Sequence, residues 1–521
     1  MSQTTVSPPR PERRLARAKT ETIGEGRPWT QSVVCLAAAG VLLLFANGRF
    51  ALPLAAWLAP LLLVRFLRTS RPLAGLLAGD AVFTAAALVI WQGVAPLGGW
   101  LYVAVIALLA QGLFSIYVVD RLVAPRLAGF KATLVLPSAW AALELAAIHV
   151  SPYGSWGGMA YTQFGNLALW QVLAITGTPG IAFLIGWFAS VASYAWEQGL
   201  GEVRARAALG GYAAVLMLVL LAGQARLTLF PPEAATVRVA SITASDELLK
   251  QAGAIRASNR EQLAEEKWTA LREACGPLHA HLFEQTRREA AAGARIVFWP
   301  EAHATVAAED VERLIDQGRQ VARQADIYLG MGLSVQHRRD PPPNFENRFV
   351  FVGPDGGVLF NYAKQLPVPG WEAESSIIEP HDYRLPVVPT RYGLVAGAIC
   401  FDMHFPWFVR QAGQQGADLI LSPSNDWKAV DPWPTYVTAA RAVELGASVI
   451  RHTSDGRSMA VDYQGRVLSS MDHFTTPDGQ RVMVSHVPVR GVVTPYARVG
   501  DLFSWICVAL LATLAAIACR R

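Results

Sequence analysis

The chain is 521 residues long, 52% apolar and only 16% charged, with a mean hydropathy of +0.29. It is too long for one ordinary core and too oily for a wholly soluble protein. Its 43 glycines and 32 prolines follow no period, so a collagen-like fibre is excluded, and the apolar content excludes a disordered chain. Of the net charge of +5, much lies in a tail over residues 1–30, where Arg10, Arg13, Arg14, Arg17, Lys19 and Arg27 face Glu12, Glu21 and Glu25; no basic face remains for nucleic acid.

A membrane-crossing helix needs about 20 mostly apolar residues, because backbone groups in hydrocarbon must bond within their own segment. Such runs occupy 31–48, 50–67, 73–93, 99–119, 132–150, 170–195 and 207–225, and an eighth occupies 502–519. The expected organisation is therefore a basic tail (1–30), a seven-helix membrane domain (31–226), a polar domain (233–490) and a C-terminal span (501–519). Lys and Arg collect on the cytoplasmic side. Arg65, Arg68 and Arg71 follow the second run, Arg121, Arg126 and Lys131 the fourth, Arg204 and Arg206 the sixth, and Arg520 and Arg521 the last. Residues 92–99 and 151–169 contain neither. Every second connection is basic, which predicts that the tail is inside and the polar domain outside. A cleaved signal peptide in place of the first run would break this alternation.

Residues 151–169 are rich in aromatics, including Trp156, Tyr161 and Phe164, and read either as an interfacial belt or as a substrate lid. Asp80 and Glu144 are the acids well inside spans; they read as a polar contact in the bundle or as part of a lipid path.

In the polar domain, runs at 237–242, 294–299, 327–333, 348–352, 394–400, 419–422 and 447–452 read as strands, and 255–292, 306–325, 404–416 and 433–446 as helices. The strand runs are continuously apolar, which implies burial on both faces in a layered α/β domain. Turn signals at 354–357 and 463–465 add hairpins and hence mixed sheets.

Reactive groups in such folds gather at strand ends. Three ends carry a candidate here: Glu301 after Trp299-Pro300, Lys364 in Tyr362-Ala-Lys, and Cys400 in Ile399-Cys-Phe-Asp402 before a helix. Amides at a strand-to-helix turn are expected to lower the thiol pKa, and the amide of Phe401 to contribute to an oxyanion hole. Taken alone, each has a plainer reading: a strand-end cysteine as packing, a glutamate after Trp-Pro as a solvated turn, and a lone lysine as surface. Of the other cysteines, Cys35, Cys507 and Cys519 lie in apolar runs, and Cys275 lies in a charged helix as an inert residue or a disulfide partner for Cys400. Phosphate cradles, zinc spacings and dinucleotide fingerprints are absent, so neither a cofactor nor a metal is expected.

Taken together, Trp-Pro-Glu, then Tyr-x-Lys, then Ile-Cys-Phe-Asp, each at a strand end and in this order, resemble the nitrilase (carbon-nitrogen hydrolase) superfamily. That resemblance implies a four-layer αββα fold with a Glu-Lys-Cys triad of Glu301, Lys364 and Cys400. Eight spans around such a domain, with 152–163, 441–446, 451–456 and 494–501, look like the apolipoprotein N-acyltransferase family. The likeness implies transfer of a fatty acyl chain from a phospholipid donor, through a Cys400 thioester, to the N-terminal amine of a diacylated apolipoprotein, at the outer face of a bacterial inner membrane. It also implies a supporting role for Glu372 and, near the substrates, for Phe401, Asp402, Trp156, Tyr161 and Trp427. The chain departs from the family where Cys-Tyr-Glu is replaced by Cys400-Phe401-Asp402, and where Asn425-Asp426-Trp427 is followed by no histidine. A membrane-tethered amidase, an acyltransferase for another amine, and a non-catalytic lipid- or peptide-binding protein are the competing readings.

Overall fold

The computed structural model describes residues 29–95, 97–232, 235–258, 265–338 and 343–520, so nearly all of the basic tail lies outside the described residues. Seven helices come first: α1 (Trp29–Leu43), α2 (Pro53–Thr69), α3 (Pro72–Ile90), α4 (Gly99–Val123), α5 (Val135–Val150), α6 (Pro179–Gln198) and α7 (Val203–Leu229). A further helix, Leu502–Cys519, closes the chain. All eight apolar runs are helical, but among the described residues six helices are long and apolar enough to cross a membrane. The exceptions are α1 and α2, at 15 and 17 residues. A turn shortens both: Asn47 Oδ1 accepts the N–H groups of Arg49 and Phe50, and Pro53 opens the next helix. The sixth run also differs from expectation. Short helices Leu167–Trp170 and Leu173–Thr176 precede α6, because Gly177 takes a φ of +65° and Pro179 restarts the helix.

The uncharged connections at 92–99 and 151–169, and the turn at 47–50 with its single Arg49, all meet the polar domain. The carbonyl of Gly93 accepts a 2.9 Å hydrogen bond from Trp427 Nε1, and the amide of Ser155 donates to the His404 carbonyl at 2.8 Å. Gly48 packs so tightly on Trp433 that a Cβ there would fall 2.1 Å from its ring. At the opposite ends of the helices Arg68 pairs with Asp120 at 2.9 Å and Arg65 lies 3.4 Å from Glu197. Within the bundle Asp80 accepts from Gln111 and Glu144 from the Met159 amide, so both acids make polar contacts between segments.

The polar domain holds thirteen described strands. Sheet A runs β13 (Val482–Pro488), β1 (Thr236–Ile242), β2 (Ile296–Phe298), β4 (Tyr328–Gln336), β5 (Phe345–Val352), β6 (Val358–Ala363), with β3 (Ala304–Ala307) also beside β4. Sheet B runs β12 (Val467–Asp472), β11 (Arg457–Val461), β10 (Ser448–Ser454), β9 (Leu419–Asn425), β8 (Gly393–Gly397), β7 (Val387–Thr390). Both are mixed: β1, β2 and β4 are mutually parallel, as are β8, β9 and β10, with hairpins at the edges. The turns at 354–357 and 463–465 join β5 to β6 and β11 to β12, as the sequence predicts.

Alternation along the strands sorts the core. Val239, Ile296, Phe298, Phe349 and Phe351 face sheet B, while Ala240, Val297, Val350 and Val352 face the helices. Helices α8 (Asp246–Ser258), α9 (Glu265–Ala291) and α10 (Val311–Ala325) lie with sheet A, and α11 (Pro406–Gln414) and α12 (Trp433–Leu445) cover sheet B. The order helix, sheet, sheet, helix gives the expected four layers. The sheet B core continues without interruption into the helical bundle.

Candidate active site

The three expected side chains converge where β2, β6 and β8 end. Glu301 follows β2 on a turn fixed by Trp299, whose amide donates to the Gly330 carbonyl at 2.9 Å and whose indole donates to Thr286 at 3.1 Å. Lys364 follows β6, its amide bonded to the Asn347 carbonyl at 2.9 Å. Cys400 follows β8 and adopts a φ of +43°, a conformation rare for a residue with a Cβ; it begins a tight helical turn to His404. The first amides of such a turn, those of Cys400 and Phe401, have no partner within it.

Lys364 Nζ lies 2.8 Å from Glu301 Oε1 and 2.8 and 2.9 Å from the two oxygens of Glu372. Asn347 Nδ2 joins the same carboxylates at 2.7 and 3.2 Å. All four side chains are buried. The structure thus places Glu372 against Lys364, and its Oε2 also accepts the Val368 amide at 2.7 Å. Asn347 was not singled out in the sequence; a polar Asn at the end of the apolar strand Phe345–Val352 was the available signal.

Burial raises the Glu301 carboxyl above its ordinary range, opposed by the Lys364 charge and by a hydrogen bond with Cys400. Burial and the Glu301 charge together push the Cys400 thiol well above its usual value, against the pull of Lys364. This direction is opposite to the one expected from the turn amides, because burial strips the thiolate of water and Glu301 adds a like charge. Lys364 stays charged in spite of burial, since two carboxylates raise its pKa well above 10.5. The Cys400 Sγ lies 3.7 Å from the Asn425 carbonyl, and all described cysteines, Cys275 included, are free.

Asp402 is fully buried and accepts from Tyr362 Oη at 2.7 Å, from the Leu366 amide at 3.0 Å and from the Ile399 amide at 3.0 Å. It therefore ties β6 to the Cys400 turn; burial raises its pKa to about 7. The Phe401 ring packs on His404, with centroids 4.9 Å apart, and on Trp156 at 6.3 Å. His404 is buried and held neutral, first by desolvation and then by Arg451, Arg441 and Lys364. Trp156 stands over this turn. Tyr161 lies in a separate buried network: its hydroxyl donates to Ser155 Oγ at 2.7 Å and accepts from Arg441 at 2.9 Å, with Arg441 paired to Glu444 at 2.8 Å. Trp427 bridges to the helix bundle through Gly93. A buried Arg451–Asp426 pair, at 2.9 Å, supports the loop carrying Asn425.

The carbon-nitrogen hydrolase model matches residues 253–488. The chain is 25% identical to the apolipoprotein N-acyltransferase of Geobacter metallireducens, over 75% of each chain. It is 24% identical to the enzyme of that name from Shewanella oneidensis, over 71% of this chain and 78% of the other. It is 31% identical to deaminated glutathione amidase of Mus musculus, over 36% of this chain and 67% of the other.

Proposed function

Because the chain belongs to the carbon-nitrogen hydrolase (nitrilase) superfamily, on its apolipoprotein N-acyltransferase branch, we propose that Glu301, Lys364 and Cys400 carry its acyltransferase chemistry with a phospholipid as donor and a diacylated lipoprotein as acceptor. One observation carries the assignment of roles: a buried ammonium held between Glu301 and Glu372 beside a thiol on a strained turn.

A thiol held protonated at rest needs a base at the moment of attack. Glu301 takes the Sγ proton as sulfur attacks the ester carbonyl of the lipid. Lys364 Nζ and the Phe401 amide receive the negative oxygen. Collapse breaks the ester C–O bond, Glu301 returns the proton to the departing lysophospholipid, and the acyl chain remains as a thioester on Cys400. The acceptor's amine then attacks that thioester, Glu301 removes a proton from nitrogen, and sulfur leaves and is reprotonated. Glu372 and Asn347 hold Lys364 and Glu301 in place without entering the bond changes.

The charge alternation supports placing this site on the outer side of the bacterial inner membrane, where two lipid-anchored substrates meet it from the bilayer. Keeping their chains in hydrocarbon avoids about 0.8 kcal/mol per methylene exposed to water. The test is incubation of purified protein with a phospholipid labelled in its sn-1 chain and a diacylated lipopeptide. Mass spectrometry should show label first on Cys400 and then on the lipopeptide amine. Label on Cys400 that passes only to water or another amine would replace the acceptor; no adduct, with Cys400→Ala indistinguishable from wild type, would end the enzyme reading.

A further inference from the structure

A second feature lies below the triad, inside the helical bundle. Phe83, Ala86, Ala87, Ile116, Tyr117 and Trp140 line an apolar cavity of about 100 Å³ between α1 and α5. Asn47, the one amide in its wall, is engaged in its own turn with Leu44, Arg49 and Phe50. Trp91 and Trp433 close the cavity on the side of the polar domain, with ring centroids 5.4 Å apart. Trp156 packs on both, at 5.9 and 5.6 Å, and also on Phe401 and His404 of the nucleophile turn. Gly157 and Met159, just beyond Trp156, are cavity wall. One segment thus forms the side of the cavity and the cover of the Cys400 turn.

The indole N–H groups of Trp156 and Trp433 are buried there with no hydrogen-bond partner among the described residues. Trp433 is itself only 2% exposed. Unpaired buried donors are costly, and two at one junction call for an acceptor oxygen on a ligand. An apolar chamber beneath and an unmet demand for an oxygen at its mouth describe a hydrocarbon tail with a carbonyl at its head.

We propose that this chamber houses the tail of the acyl chain undergoing transfer, with the chain's head passing Trp433 and Trp156 toward Cys400, and that the floor at Phe83 and Tyr117 sets the preferred chain length. The inference rests on the acyltransferase reading. The tail enters from lipid-like surroundings, so selectivity arises where the walls stop it and not from burial as such.

The test uses full-length protein in mixed micelles with phosphatidylethanolamines of graded sn-1 chain length, reading the Cys400 adduct by intact mass. In Ala86→Phe the rate with long donors should fall about tenfold or more for each methylene that the walls exclude, while the shortest donor reacts as with wild type. Phe83→Ala, which lengthens the chamber, should move the optimum to longer chains. An unchanged chain-length profile in either variant, with Cys400 still alkylated normally by iodoacetamide, overturns the assignment. A long-chain phospholipid with a diazirine at the chain end, irradiated on the same protein, should label peptides of α3 or Trp140, independently of turnover. Labelling there without any Cys400 adduct would retain the chamber and remove the acyltransferase reading; an adduct without such labelling would do the reverse.

Discussion

Replacing Lys364 with Met removes the cation that bridges Glu301 and Glu372, while its length and apolar stem are kept. The side chain is 3% exposed and its Nζ makes contacts of 2.8, 2.8 and 2.9 Å. Two carboxylates would remain, joined only by Asn347. Breaking a buried pair on one side costs about 3 to 5 kcal/mol, because the partner charge is left uncompensated. The sign of the pH dependence follows from Glu301, whose folded pKa is already raised. Its contribution to stability is present at low pH and lost as pH rises through the folded value. Without Lys364 that value rises further, so the variant's deficit should be largest at alkaline pH and shrink on acidification. In the wild type Lys364 is charged throughout this range, since its own pKa is raised above 10.5. On the proposed role of Lys364 as an oxyanion donor, its loss should lower kcat by about 10² to 10³, or roughly 2.7 to 4 kcal/mol. The thiol also loses the charge that pulls its pKa down, so iodoacetamide should alkylate Cys400 more slowly and with a profile moved to higher pH. Thermal melts, single-turnover acyl transfer and alkylation against pH measure these effects. A Lys364→Met protein that alkylates at the wild-type rate across the pH range and retains transfer within a few-fold would refute the reasoning.

Asn347→Leu should keep the fold but lower kcat by about one to two decades, since it frees Glu301 and Glu372 from a shared donor; the change should fall on kcat more than on KM. Gly154 has a φ of +59°, and a Cβ there would meet the His404 carbonyl oxygen at 2.3 Å, so Gly154→Ala should push the Trp156 segment off the Cys400 turn. We expect a loss of about 1 to 3 kcal/mol in stability and slower acylation, read by melting temperature and adduct formation. Burial raises the pKa of Glu444 to about 7, against the pull of Arg441. Its ionisation therefore costs stability as pH rises through about 7, and the melting temperature of wild type minus that of Glu444→Gln should decrease from pH 5.5 to pH 8. A constant difference would show that the Arg441–Glu444 pair does not titrate in this interval.

Much of the membrane domain was legible because the bilayer imposes a length and a composition on each span, and both can be counted along the chain. Reading failed locally where a turn outweighed hydropathy, as at Asn47 and Gly177. The polar domain's central strands were readable as apolar runs. The short strands at 304–307, 387–390 and 482–488 were not: the first and last pair with strands remote in sequence, and the middle one is a partly exposed run that contains Pro389. Glu301, Lys364 and Cys400 stood out because strand-end residues repeat a recognisable order. Asn347 and the Arg451–Asp426 and Arg441–Glu444 pairs did not, as nothing local distinguishes a buried polar residue from a surface one.

By itself the sequence determined the division into membrane and polar parts and the alternation of basic connections, and it offered Glu301, Lys364 and Cys400 as candidates, all of which depend on composition and motif over short windows. Only the tertiary structure decided the state of the thiol, which burial beside Glu301 raises where the turn alone suggested the reverse. It also turned Asp402 and Tyr161 into supports of the turn and of the domain junction, and brought Trp156 and Trp433 from separate segments over one cavity. Desolvation and contact depend on which atoms surround a group in three dimensions, and those atoms come from segments hundreds of residues apart.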